Sequence, residues 1–196
     1  MTLCFTESVL ILVRHGRTGG NAAGQLQGRI DNPLDEVGQR QAEQVAAAIG
    51  PVDHVISSSL LRARQTASMF DGALTIDDRW IELDYGELDG RPLADVPREV
   101  WATWRTDPTF APAGGETMHA LDARVRSAAT DALEMARTGT VVVVSHVSPI
   151  KAAIAWALGG DVSMSWRCHL DQASVSRITP GPSGPVLKSF NETLYR

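Results

Sequence analysis

The chain has 196 residues, 43% of them hydrophobic, and its 18 Lys+Arg against 23 Asp+Glu leave a net charge of −5. That is apolar material for one sizeable core, no Pro/Gly/Ser-rich linker divides it, and a single domain over residues 1–196 is expected. The acidic balance argues against a nucleic-acid partner or a membrane surface, no run approaches the ~20 apolar residues of a span, and Cys4 and Cys168 lack metal-ligand spacing.

The N-terminus carries Glu7 and no basic region, and its apolar run is short for a secretion signal. A reducing cytoplasm is therefore expected, and nothing supports a Cys4–Cys168 disulfide. Residues 9–13, all Val, Ile or Leu, read as a buried strand that stops at Arg14-His15-Gly16. A glycine-rich polar loop over 16–33 follows. Asp35 then caps a helix with Ala42, Val45, Ala46 and Ile49 at helical spacing, ended by Gly50-Pro51. His54-Val55-Ile56-Ser57 reads as a second strand. Ser58 and Ser59 are the candidate caps of a helix that puts Leu60, Ala63, Ala67 and Phe70 on one face.

Residues 72–115 look irregular, with Trp80, Trp101 and Trp104 among Asp, Gly and Pro. Such a segment is either a lid over the substrate, most lid-like over about 84–113, or a loop packed down by its tryptophans. Residues 116–137 form an amphipathic helix burying Met118, Leu121, Val125, Ala128 and Ala132. Val141 to Val144 are all β-branched and predict a central strand ending at Ser145-His146. Pro149 opens a helix to Leu158, and residues 173–179 and 186–190 read as a hairpin. The alternation predicts an α/β three-layer sandwich around a mostly parallel sheet, mixed if the hairpin joins it.

Two strands end in a histidine, and parallel strands deliver their carboxyl ends to one rim. Arg62, in the first turn after the second strand, belongs to that rim. Arg14, Arg62, His15 and His146 together suit a phosphoryl group, because a guanidinium holds two phosphate oxygens at once. A neutral imidazole can attack phosphorus, and neighbouring arginines disfavour its protonated form. The departing alkoxide then needs a proton, and Glu82 is the candidate donor if burial raises its pKa. Arg64 sits ~200° around the helix from Arg62 and reads as a solvated charge. No cofactor or metal is implied.

The motifs recur in order through nearly the whole chain. They are Arg14-His15-Gly16-x-Thr18 with Asn21 and Gln27-Gly28; Asn32-Pro33-Leu34 with Gly38 and Gln41-Ala42; and Ser57-Ser58-x-Leu60-x-Arg62-Ala63-x-Gln65-Thr66-Ala67. Glu82-x-x-Tyr85-Gly86-x-x-x-Gly90, Gly114-Gly115-Glu116 and Val143-Val144-Ser145-His146 complete them. In this the chain resembles the histidine phosphatase superfamily, the branch that includes cofactor-dependent phosphoglycerate mutases. The resemblance implies His15 as the phosphorylated nucleophile, Glu82 as proton donor, and Arg14, Arg62 and His146 as phosphoryl-binding groups. Asn21 and Thr18 would line the pocket less directly. Arg17 stands where many relatives carry Glu or Gln, and either adds charge at the pocket mouth or faces solvent. Val147 replaces a common glycine, its N–H still able to reach phosphate.

Mutases of this family typically carry an extended segment between the Glu and Gly-Gly-Glu motifs, and here residues 90–114 are few. A phosphomonoesterase acting on a small phosphorylated metabolite is the first reading, and a phosphoglycerate mutase the alternative. A phosphate- or phosphoprotein-binding module that has lost turnover is a third, opposed by the complete residue set. Ser145-His146-Val147-Ser148-Pro149-Ile150-Lys151 and His169-Leu170-Asp171 resemble acid phosphatases and α-ribazole-phosphatase-like members. His169 lies in that motif and is a candidate for the pocket mouth. His54 and His119 read as structural.

Overall fold

The computed structural model describes residues 8–194; Cys4 and Glu7, on which the redox and leader expectations touched, lie outside them. In chain order the elements are β1 (Val9–Arg14), α1 (Gly19–Ala22), α2 (Glu36–Ile49), β2 (His54–Ser57), α3 (Leu61–Ala67) and β3 (Ala73–Ile76). Then come α4 (Arg98–Thr106), α5 (Met118–Met135), β4 (Thr140–Ser145), α6 (Val147–Ala157), β5 (Val175–Gly181) and β6 (Gly184–Glu192). The sheet order is β3-β2-β4-β1-β5-β6. The first four strands in that order run parallel, while the β5–β6 hairpin joins antiparallel through β1–β5. The sheet is therefore mixed and mostly parallel.

Side chains alternate across the sheet with period two, and this alternation makes the layers. Val9, Ile11, Val13, Val142 and Val144 pack with Val45, Ala46, Ala63 and Ala67 of α2 and α3. Leu10, Leu12, Val141 and Val143 face the other way, onto Leu121, Val125, Ile150 and Ile154 of α5 and α6. Helices thus cover both faces, as a parallel sheet requires. Among the described residues, no helix is long and apolar enough to cross a membrane.

Register places the chemistry. Arg14 pairs with Ser145 across β1 and β4, so the next residues, His15 and His146, emerge side by side. The loop after β1 is held down by glycines: a Cβ on Gly16 would strike the Gly38 carbonyl, and one on Gly38 would strike the Arg17 carbonyl.

Several boundaries differ from the sequence reading. Residues 72–115 are not uniformly irregular, since they contain β3, α4 and 3-10 turns at Asp78–Trp80, Gly86–Leu88 and Leu93–Asp95. The tryptophans do pack this segment down: Trp80 and Trp104 are fully buried, and Trp104 meets Tyr85, Trp101, Phe110 and Trp166. The loop over 16–33 contains α1, which Thr18 and Asn21 close with a reciprocal capping box. Leu60, not Ser58 or Ser59, is the N-cap of α3, and it makes no side-chain cap bond. Thr117 caps α5, and α6 begins at Val147, two residues before Pro149.

Candidate active site

His15 is 3% exposed, and its Nδ1 lies 2.7 Å from the Gly16 carbonyl. A carbonyl only accepts, so Nδ1 carries the proton and Nε2 keeps its lone pair. Burial, then the Arg62 and Arg14 charges, hold the imidazole well below its ordinary pKa of 6.5. His146 is fully buried with its ring centroid 5.1 Å from that of His15. It is held low by burial and by the charges of Arg62, His15 and Arg14. Its Nε2 shares a 2.6 Å hydrogen bond with the Ser58 hydroxyl. Ser58 thus orients the second histidine instead of capping a helix.

The arginines are fixed by backbone carbonyls. Arg14 donates from Nη1 to Leu170 O at 2.6 Å. Fully buried Arg62 donates to Ile30 O at 2.8 Å and Gly28 O at 2.7 Å. Those carbonyls belong to a loop whose amides converge on Asp89: Gly28 N at 2.7 Å, Arg29 N at 2.8 Å and Ile30 N at 3.0 Å. Asp89 therefore sets the loop that sets Arg62. Thr66 ties the same region to the loop after His15, its hydroxyl accepting from Gly16 N at 3.1 Å and donating to Arg62 O at 2.9 Å.

Glu82 is 3% exposed. Its carboxylate accepts from Leu83 N at 2.7 Å, Val147 N at 3.1 Å and Ser148 N at 3.2 Å, the last two opening α6. Burial raises its pKa above the ordinary 4.5, although those hydrogen bonds and the Arg62 charge pull the other way. Arg124 braces the backbone here, donating to the carbonyls of Arg79, Ile81 and Glu82, and Glu116 pairs with Arg124 at 2.7 Å. Glu116 of the Gly-Gly-Glu motif, just ahead of α5, thus supports the Glu82 segment through Arg124.

A pocket of about 270 Å³ is walled by Arg14, His15, Asn21, Glu82, Val147 and Gln172, among others. It brings together both candidate catalytic residues, one of the two candidate phosphate-binding arginines and Asn21. Arg62, His146 and Thr18 are buried outside this lining, Thr18 donating to Gln27 Oε1 at 2.7 Å. The Val147 amide, expected to face phosphate, is directed at Glu82. Arg17 pairs at 2.8 Å with Asp35, the α2 N-cap, and Arg64 is exposed. His169 is not among the residues that wall this pocket; its side chain is 81% exposed and bonds Asp171 at 3.1 Å. Among the described residues, no three His, Cys, Asp or Glu side chains are grouped as a metal site would require. Ser58, Asp89, Arg124 and Gln172 are site residues that sequence reasoning missed. Ser58 and Arg124 act through contacts between distant segments, which no local spacing signals.

The sequence matches the histidine phosphatase superfamily (branch 1) over residues 10–193. It is 33% identical over 202 residues to a probable phosphoglycerate mutase GpmB of Yersinia enterocolitica, covering 95% of this chain and 94% of that one. Over 181 residues it is 35% identical to the bifunctional protein Rv2228c of Mycobacterium tuberculosis, covering 87% of this chain. The chain spans about half the length of that mycobacterial relative, 50%. Among solved structures, a phosphoserine phosphatase mutant from Entamoeba histolytica in complex with phosphoserine superposes with a TM-score of 0.87. The two are 27% identical, and 94% of this chain and 97% of the other are covered.

Proposed function

The chain belongs to the histidine phosphatase superfamily, and from that premise we propose that it is a phosphomonoesterase that hydrolyses small phosphate esters through a phosphohistidine on His15. The observation that carries this reading is the Nδ1 hydrogen bond to Gly16 O, which leaves Nε2 unprotonated in a pocket walled by Arg14 and Glu82. Nε2 attacks phosphorus, the P–O bond to the leaving group breaks, and Glu82 gives its proton to the departing oxygen. Arg14, Arg62 and His146 stabilise the charge spread over the transferring oxygens. Water then attacks the phosphohistidine, the N–P bond breaks, and Glu82 takes the water's proton back.

The probable mutase among the relatives favours a second reading, in which the phosphoryl group returns to another hydroxyl. One experiment separates the two: a screen of small phosphomonoesters for phosphate release, beside 3-phosphoglycerate isomerisation with and without 2,3-bisphosphoglycerate. Net phosphate release from several esters, with isomerisation slower, is the expected result. Isomerisation that depends on the bisphosphate and outruns release would overturn the hydrolase reading.

A further inference from the structure

A second cleft, of about 170 Å³, adjoins the phosphate pocket, and Tyr85 and Val147 line both. Its remaining walls include Trp101 of α4, Trp166 of the 3-10 turn Val162–Arg167, and Met118. Trp101 and Trp166 meet edge to face at 6.3 Å, forming an aromatic corner. Leu83 and Ser148, whose amides donate to the Glu82 carboxylate, also line this apolar space, so it adjoins the candidate proton donor.

Lys151 enters the same cleft. It sits one helical turn after Val147, so both side chains share a face of α6. Half-buried, it makes no ion pair or hydrogen bond among the described residues, and no Asp or Glu lines the cleft. Ser165 lines it too, with a buried hydroxyl that has no partner among the described residues. A desolvated ammonium without a counter-ion is unfavourable, and an anion would relieve it. Burial pulls the Lys151 pKa below its ordinary value; Cys168 and Glu82 act against this, and Arg14 acts with it.

Resting on the phosphatase reading, we infer that this cleft is the leaving-group subsite and that Lys151 selects phosphomonoesters whose alcohol joins an apolar or planar body to a second anionic group. A carboxylate and a second phosphoryl group share the required chemistry, since Lys presents a point charge to either. Trp101 and Trp166 would supply the surface for the body, and the hydroxyl of Ser165 a further donor.

The test uses aryl phosphates matched in size: 4-carboxyphenyl phosphate against 4-carbamoylphenyl phosphate, with benzene-1,4-diyl bisphosphate as the second-phosphoryl arm. The wild-type chain should prefer at least one anionic ester over the carbamoyl ester in kcat/KM. Lys151→Met should cut that preference about tenfold or more, as loss of a charge-assisted contact does. Lys151→Arg should restore part of it. A preference the substitution leaves within about twofold overturns the inference while the phosphatase reading stands. Wild-type protein that hydrolyses none of the three esters removes the phosphatase reading and this inference together.

Discussion

The proposed mechanism requires Glu82 to hold a proton at a pH where most carboxylates have lost theirs, and His15 to lack one where most imidazoles are gaining theirs. Burial moves both in the required direction, raising Glu82 above 4.5 and lowering His15 below 6.5. For hydrolysis of an alkyl phosphate, kcat/KM should therefore rise through the lowered His15 pKa and fall through the raised Glu82 pKa, giving an optimum on the acid side. Glu82→Gln should slow alkyl esters by about 10²–10⁴-fold and p-nitrophenyl phosphate much less, and should remove the alkaline limb. Equal losses on both esters, or an unchanged alkaline limb, would exclude Glu82 as the donor. These residues were legible in the sequence because each ends a strand or opens a motif. Asp89 was not, because its part is to gather the amides of Gly28, Arg29 and Ile30, so that the Gly28 and Ile30 carbonyls grip Arg62, a relation that exists only once the loop over 28–30 is folded.

At the scale of elements, β1 was readable from its unbroken apolar run and β4 from its β-branched one, and in-register parallel pairing then fixes the two histidines together. β3 escaped because Ala73 to Ile76 is exposed throughout, so no buried face writes a period into it. α4 escaped because only Trp104 of its nine residues is buried, too few to show a helical stripe. What positions the loop after His15 is the close approach of Gly16 to Gly38 of α2. Gly38→Ala should cost about 1–3 kcal/mol in urea unfolding, through forced displacement of the Arg17 backbone, and should lower kcat as well. Gly19→Ala, where a Cβ meets open space, should stay within about 0.5 kcal/mol of wild type. Equal stabilities for the two variants would show that the close approach does not constrain the loop.

For the whole molecule, the mixed sheet gathers two neutral histidines, two arginines and a glutamate at one rim, and the arrangement couples activity to stability. His15 and His146 have depressed pKa values in the fold, so the unfolded chain binds protons there first. Their contribution is complete above about pH 6.5 and is lost as pH falls below it. Glu82, raised in the fold, acts oppositely: it stabilises below its unfolded pKa and loses that as pH rises through its folded one. With two histidines against one glutamate, the urea midpoint should drop between about pH 7 and pH 5, and His146→Asn should flatten the drop. A midpoint constant over that range would contradict the buried neutral pair.

A phosphohistidine on His15 is the central requirement of the proposed mechanism. Rapid acid-free quenching during turnover of a labelled phosphate ester, followed by peptide mapping, should find one phosphoryl group on His15, stable to base and labile to acid. His15→Ala should lose that label together with about 10³-fold or more of the hydrolysis. Steady hydrolysis with no phosphoenzyme, or with the label on a residue other than His15, would contradict the assignment of the nucleophile.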